Sequence, residues 1–336
     1  MTVTSQTVVP ADYGNSADGF TFGDAIEKVY RRVMAGQREA SVALTNDITA
    51  DQEAFVVTAA SITGLVPGAI IAVDYELMYV LSYSQANNTV SVERAFRGSV
   101  AQAHAAATQA IINPKYSRFD IGVAINDDIK SLSSPSNGLG RINNIMITYN
   151  PVYQAYDLGD VSYNFSEILA INFKTPWPDR RPRPIKNWRV VRNANEGYFP
   201  SGQAVVLNEG GYPGMPIELD ILSPYIPMVL NTDSFLNTPV TNDPYPPYNG
   251  YGTQVYDSNF VVEQTDIPIL GAMIQLTLPR EISRNFLESQ PDPRKAAEVP
   301  AGAVSASAAA LILQRERRIG EEGDRMRRWY PQRRSW

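Results

Sequence analysis

The sequence predicts an α+β protein that is mainly β. We expect a small β module flanked by two helices, then an antiparallel β-sandwich or jelly-roll domain, and then an extended tether and a C-terminal helix. Three observations lead to this prediction. Short runs of alternating apolar and polar residues fill residues 40–113, a second group of short runs separated by turn residues fills 142–278, and three other segments have helical periodicity.

Composition limits the classes of site that the chain can form. Its 336 residues, 44% of them hydrophobic, suffice for one large core or a few smaller ones. With no cysteine and one histidine, a disulfide framework and cysteine-ligated zinc are excluded, and a histidine-based metal site or triad is nearly so. No apolar run approaches about 18 residues, and no signal peptide opens the chain. We expect a soluble chain made in the cytosol, with no cofactor.

Residues 1–20 are polar and are predicted to be a flexible arm. The following segment, Thr21–Ala35, opens with a capping-box pattern, a hydroxyl at Thr21 and an acid at Asp24, and its apolar residues recur on one helical face. We therefore predict a first helix. Its apolar face packs on its own domain or, as the alternative, takes part in oligomerisation.

The β module has about five predicted strands, and the segment 67–114 carries the clearest pattern. A turn at Asn87-Asn88 joins two of its strands into a hairpin. The predicted strands are Ala40–Leu44, Ala54–Ala59, Ala69–Val73, Glu76–Tyr83 and Thr89–Glu93. A second amphipathic helix, Tyr116–Ser133, follows, so that residues 21–134 form the first domain.

Charged residues lie at the ends of these strands. Asp74 and Glu76 are two positions apart, and on one strand they share a face, which suits a carboxylate pair for glycoside cleavage. We prefer a structural hairpin salt bridge, because Arg94 and Arg97 both follow the neighbouring strand. An exposed pair of this kind contributes about 0–1 kcal/mol. His104, within a run of alanines, is predicted to be a hydrogen-bonded packing residue.

The second domain, residues 141–279, follows a linker at Ser133–Gly140 that is rich in Ser, Pro and Gly. Its short strands are separated by turns and favour a sandwich or jelly roll, and a long loop at Thr232–Asp257 interrupts them. The predicted strands are Ile145–Tyr149, Tyr163–Phe173, Trp188–Val191, Gln203–Leu207, Ile217–Leu222, Phe260–Gln264 and Ile267–Leu278.

A basic, proline-rich stretch in this domain has a tryptophan on each side. Arginine beside aromatic residues can bind phosphates, bases or sugar faces. The prolines make the stretch stiff and extended, which suits a contact between subunits equally well. The residues in question are Trp177, Arg180, Arg181, Arg183 and Trp188.

Residues 280–336 are predicted to form an extended tether and an arginine-rich helix over Ala306–Tyr330. From residue 311 onward the net charge is +4, whereas the preceding residues carry −10. The apolar stripe of the helix is thin, and Gly320 and Gly323 each cost about 1 kcal/mol relative to alanine, so we predict that a partner holds it. The candidate docking residues are Arg315, Arg317, Arg318, Ile319, Arg325, Met326, Arg327, Arg328, Tyr330, Arg333 and Arg334.

The common catalytic motifs are missing from the sequence. It has no GxxxxGK[ST] phosphate loop, no GxGxxG after a strand, no GxSxG elbow and no HExxH. We therefore expect a protein that is not an enzyme.

The order of segments resembles proteins of tailed bacteriophages. A β module of their virion proteins has the same succession: a strand carrying Asp74 and Glu76, a strand ending at Arg94, then Arg97-Gly98, His104 and a strand at Ala110–Asn113. Helices on both sides of the module, a β-rich middle and a charged C-terminal helix ending near Tyr-Pro are similar to the head-to-tail connectors, or neck adaptors, of actinobacteriophages. The resemblance covers most of the chain.

This resemblance implies a structural protein of the virion at the head–tail interface. Its partners would be the portal protein, other neck or tail proteins, and copies of itself in a ring, a dodecamer by resemblance, with no membrane. The C-terminal arginines would contact the portal or face the passing genomic DNA. The alternative is a minor tail or baseplate protein whose sandwich recognises host-surface sugars through Trp177, Trp188 and the tyrosines of the long loop.

Overall fold

The computed structural model describes residues 22–35, 37–58, 64–158, 166–174, 182–225, 227–228, 264–288 and 303–330. In the last two ranges, side chains are described for 264–278 and 308–330. The predicted arm, the predicted loop Thr232–Asp257 and all but the last residue of the predicted strand Phe260–Gln264 lie outside the described residues. Within them, no helix is long and apolar enough to cross a membrane.

The β module is one antiparallel sheet of six strands in the order β1-β6-β3-β4-β5-β2, and its sixth strand is the one that the resemblance places at Ala110–Asn113. Its edges approach each other, because Leu44 after β1 bridges to Val57 after β2. The sheet therefore curls around an apolar interior that includes Ile71, Met78 and Val92. The strands are β1 Ser41–Ala43, β2 Ala54–Val56, β3 Ile70–Val73, β4 Glu76–Ser84, β5 Thr89–Glu93 and β6 Gln109–Ile112.

Helices on both sides of the module pack together in a separate apolar core. The first, α1, spans Phe22–Met34 and buries Ile26 and Val29 completely, so its predicted packing on its own chain is confirmed. The second, α2, spans Arg118–Leu132. It begins at Ser117, whose hydroxyl accepts a hydrogen bond from the amide of Asp120 at 2.9 Å.

The second β region consists of two antiparallel sheets that share one core. A four-stranded sheet has the order β10-β9-β13-β7, and a three-stranded sheet has the order β11-β12-β8. Phe173 and Ile217 of the first sheet pack with Trp188 and Val205 of the second, as in a sandwich. The strands are β7 Arg141–Thr148, β8 Ala155–Asp157, β9 Glu167–Phe173, β10 Arg183–Pro184, β11 Trp188–Val191, β12 Ala204–Leu207 and β13 Pro216–Ser223.

The predicted strand Ile267–Leu278 is wrong, because the segment is part of a helix, α3, that spans Asp266–Glu288. Its residues are apolar on nearly every side, so neither a period of 2 nor one of 3.6 stands out. Ile267, Ile269 and Ala272 are completely buried against the other helices. A helix that is apolar all round belongs in a core, and Pro268 in its first turn is compatible with a helix start.

The end of α3 also corrects the predicted tether. The helix continues to Glu288, so residues 281–288 are helical rather than extended, and residues 289–302 lie outside the described residues. The last helix, α4, spans Ala303–Trp329 and packs along α3. Leu139 of the linker and Leu169 and Leu222 of the second region also enter the helical core, so the helices connect both β regions.

Candidate functional site

A cluster of four charged residues, Asp74, Glu76, Arg94 and His104, forms the first candidate site, which we call the Glu76 cluster. The turn between β3 and β4 carries Asp74, whose φ of 50° is left-handed. Glu76 begins β4 and is completely buried. Arg94 directly follows β5, and the backbone of His104 forms a β-bridge with Ile48.

The guanidinium of Arg94 uses all of its N–H groups within the module. Its Nε donates a hydrogen bond to Glu76 Oε1 at 2.7 Å, and its Nη2 donates one to Glu76 Oε2 at 2.8 Å. Nη1 donates to the carbonyls of Thr49 and Gln52, both at 2.8 Å, and Nη2 also donates to the carbonyl of Gln102 at 2.6 Å. Since the fork has five N–H donors, none remains for a ligand.

Glu76 is held ionised at the centre of the cluster. Besides Arg94, its carboxylate accepts hydrogen bonds from the amides of Ala95 and Gln102, at 3.3 and 3.1 Å. Burial alone raises the pKa of Glu76, but the hydrogen bonds from Arg94, His104 and Gln102 lower it to about 2. A carboxyl with so low a pKa is a poor general acid at neutral pH.

His104 lies between two carboxylates. Its Nε2 is 2.9 Å from Glu76 Oε2, its Nδ1 is 3.1 Å from Asp74 Oδ2, and 1% of its side chain is exposed. Burial lowers the pKa of His104, but the hydrogen bonds to Asp74 and Glu76 raise it above its ordinary value. The ring is therefore a buried, hydrogen-bonded packing residue, as predicted.

The structure confirms part of the predicted salt bridge and corrects the rest. Glu76 pairs with Arg94, but Arg97 makes no ion pair among the described residues and lies exposed, with its guanidinium 5.6 Å from the centre of the Phe96 ring. The pair is buried, so the small contribution expected of an exposed pair does not apply. Asp74 lies in the turn before the strand, and His104 stands between it and Glu76.

The C-terminal helix α4 is the second candidate site, and ion pairs fasten it to its own chain. Arg315 contacts Asp128 of α2 at 2.8 Å and donates to the Ser131 hydroxyl at 2.9 Å. Arg318 donates to Asp266, the first residue of α3, at 2.7 Å. Distant residues of the same chain therefore hold α4 despite its thin apolar stripe, and the binding of a further partner to this helix stays a prediction.

A series of buried hydrogen bonds also joins α4 to the rest of the protein. The Tyr225 hydroxyl donates to Gln264 at 3.2 Å, and the Gln264 amide donates to Glu322 at 3.1 Å. Glu322 also pairs with Arg325, one turn further along α4. Met326 is 3% exposed beside these groups, and Ile319 and Tyr330 pack against the same core.

The remaining docking candidates lie on the outer face of α4 or outside the described residues. Arg317 and Arg327 are exposed and pair with Glu321 and Asp324, neighbours on the same helix, and Arg328 is exposed. Arg333 and Arg334 lie outside the described residues.

The proline-rich stretch of the second region is only partly described. The Trp188 side chain is in the sandwich core and 5% exposed, so it is not available to stack on a sugar or on another subunit. Arg183 is exposed, with its guanidinium 5.8 Å from the centre of the Phe173 ring. Trp177, Arg180 and Arg181 lie outside the described residues.

The described ranges contain no group of three His, Asp or Glu side chains placed to hold a metal ion. The carboxylates nearest to such a group, Asp74 and Glu76, are occupied by His104 and Arg94. Sequence reasoning missed that His104 joins them. The one available indication was the resemblance itself, in which Glu76, Arg94 and His104 recur in that order.

A scan against models of protein families finds no match, and neither does a search of curated proteins.

Proposed function

We propose that this chain is a structural virion protein of a tailed bacteriophage, a head-to-tail connector that forms a ring between portal and tail. The observation that supports the proposal most directly is the Glu76 cluster. Four of the residues on which the resemblance depends, Asp74, Glu76, Arg94 and His104, meet in one hydrogen-bonded group, although they lie up to 30 positions apart in the sequence. Residues that hydrogen-bond to one another inside the module stabilise its fold, and this is the role expected of a motif in a structural protein.

The chemistry of the cluster favours a structural over an enzymatic role. Arg94 has no donor left for a substrate, and the Glu76 carboxylate accepts hydrogen bonds from the Arg94 side chain, the His104 ring and two backbone amides. A general acid or nucleophile needs a group that can reach a reacting atom. The Glu76 side chain is completely buried and has no such access.

The portal-docking surface in this proposal is the outer face of α4. Positions 313, 317, 320, 324, 327 and 328 lie on one side of an α-helix, opposite the buried Glu322 and Met326. Arg317 and Arg327 expose 80% and 75% of their side chains there, and Leu313, one turn before Arg317, is 64% exposed. Exposed arginine forks next to an apolar side chain suit a carboxylate-bearing or carbonyl-rich protein surface. Passing DNA, whose phosphates the same forks fit, is the other candidate contact.

Localisation tests this proposal. Immunogold labelling of the chain in intact virions should fall at the head–tail junction, and phage lacking the chain should accumulate DNA-filled heads that leak or lack tails. Native mass spectrometry of the purified chain, alone and with the portal protein, should detect a ring, with twelve copies expected from the resemblance alone. Two results together would contradict the proposal: immunogold label at the tail tip, and normal joining of heads and tails in phage that lack the chain.

A further inference from the structure

We infer that His104 is held as an imidazolium whose proton locks the exposed turn of residues 95–98 onto the β module, and that loss of this proton releases the turn. The inference does not depend on the proposed function. It follows from the arrangement of hydrogen-bond donors and acceptors around one ring.

Both ring nitrogens of His104 face carboxylate oxygens, at 3.1 Å for Asp74 and 2.9 Å for Glu76. A neutral imidazole has one N–H, so one of its nitrogens would point a lone pair at a carboxylate. Moving a proton onto a carboxylate does not resolve this conflict. Glu76 already accepts two hydrogen bonds from Arg94, and 45% of the Asp74 side chain is exposed to water, which solvates its carboxylate. The doubly protonated ring satisfies every group.

Charge balance supports the same state. The groups that face the ring are Asp74 and Glu76 directly and Arg94 through Glu76, whereas Asp47, on the segment that pairs with the His104 backbone, accepts a hydrogen bond from the Ala106 amide. With the proton, the charges of the Glu76 cluster sum to zero. Without it, the cluster carries a net charge of −1, and one ring nitrogen presents a lone pair to a carboxylate oxygen.

The cluster also holds a strained turn. Ala95 and Arg97 have φ values of 55° and 56°, in the left-handed region that non-glycine residues rarely adopt. Glu76 accepts from the Ala95 amide at 3.3 Å, and Arg94 and Gln102 anchor the two sides of the turn to the same carboxylate. Weakening the hold on Glu76 therefore loosens the backbone that presents Phe96 and Arg97 at the surface.

The direction of the pH effect follows from the sign of the shift. The pKa of His104 is raised above its ordinary value of 6.5 in the folded chain. The stabilisation from its proton is therefore fully present below about 6.5 and is lost as the pH rises through the folded-state pKa. The turn is therefore held most firmly below about 6.5, and it loosens as the pH rises through the folded-state pKa of His104.

Because His104 is the one histidine of the chain, nuclear magnetic resonance of the untagged, ¹⁵N-labelled protein observes it without overlap. At pH 7 both ring nitrogens should carry protons, the ring should titrate above about 6.5, and the amides of residues 95–98 should shift with the same midpoint. A single-proton tautomer at pH 7, a midpoint at or below that of the unfolded chain, or amides that ignore the titration would each overturn the inference.

Two variants sharpen the test. Asp74→Asn removes one of the facing charges and should lower the His104 midpoint by about one pH unit or more. Asp127→Asn changes an exposed carboxyl on α2, with 53% of its side chain exposed, and should leave the midpoint unchanged. Equal midpoints in the two variants would show that Asp74 does not hold the proton. The wild-type titration decides the charge state even if the Asp74 variant folds poorly.

Discussion

Gly271 of α3 lies directly against the carboxyl group of Asp128 in α2, and a Cβ at position 271 would overlap the carboxyl carbon and both oxygens. The missing side chain lets α3 cross α2 closely enough for Asp128, 3% exposed, to reach Arg315 of α4. Three helices distant in sequence therefore meet at one ion pair.

The first prediction concerns that close approach. Gly271→Ala should lower the free energy of unfolding by about 1–3 kcal/mol, the usual cost of overpacking, despite the better helix propensity of alanine. Urea denaturation followed by circular dichroism measures the change. Gly320→Ala is the matched control, because a Cβ there has no atom within 4 Å, and it should raise stability by about 1 kcal/mol. Two changes of the same sign would contradict the packing argument.

The second prediction concerns the buried pair of Glu76 and Arg94. Glu76→Gln keeps the shape of the side chain but leaves Arg94 and His104 without their anion, so we expect a loss of about 3–5 kcal/mol, as for breaking other buried ion pairs. Thermal and urea unfolding measure it. Asp324→Asn, which removes an exposed carboxyl paired with Arg327, should leave the unfolding midpoint nearly unchanged. Similar small effects of both substitutions would mean that Glu76 is solvated.

The third prediction concerns Asp128, whose pKa burial raises to about 6 although Arg315 opposes the shift. The folded chain therefore binds this proton more tightly than the unfolded chain, and the contribution of Asp128 to stability falls as the pH rises from about 4 through about 6. Arg315→Met leaves the carboxylate buried without its cation, so its pKa should rise further. We expect a loss of about 3 kcal/mol at pH 8 and a smaller one at pH 5.

Urea unfolding of wild type and variant at both pH values measures this difference. Arg317→Met, a change at an exposed arginine of the same helix, is the control and should cost little at either pH. If the Arg315 variant loses the same stability at pH 5 and pH 8, the ionisation of Asp128 is not the cause.

The fourth prediction separates folding of α4 from docking. A chain truncated after Pro300 would lose Glu322 and Met326 from the core, so truncation tests stability and docking together. The double variant Arg327→Glu, Arg328→Glu changes two exposed residues in the last turn of α4 instead. It should fold like wild type but fail to co-sediment with the portal protein, because carboxylates replace the guanidinium groups that are proposed to bind the portal surface.

The control is the double variant Arg31→Glu, Arg32→Glu, which reverses two positive charges in the last turn of α1, where both arginines are exposed. It should leave portal binding intact. Normal assembly of the α4 variant into infectious particles would remove the docking role. Normal assembly with altered DNA retention or ejection would instead assign those arginines to the DNA.

The sequence predicts some elements of the structure correctly and others not. The strands Thr89–Glu93 and Trp188–Val191 have the predicted bounds, because β-branched and apolar residues there are set off by turn residues. The segment 267–278 has no such contrast between faces, and only its burial among α1, α2 and α4 selects the helix. The bridging role of His104 was equally out of reach, because it depends on a turn and two strand ends that meet only in the folded sheet.

By itself the sequence determined the α+β class, most strand positions, the pairing of Glu76 with an arginine and the amphipathic character of α4, because these follow from local periodicity and from residues close in the chain. The tertiary structure decided which surface α4 covers, since Arg315 and Arg318 find their acids 187 and 52 positions away. It also decided that the Glu76 pair is buried rather than exposed. Burial and long-range pairing depend on how the elements pack, and local sequence carries no information about the groups that packing brings together.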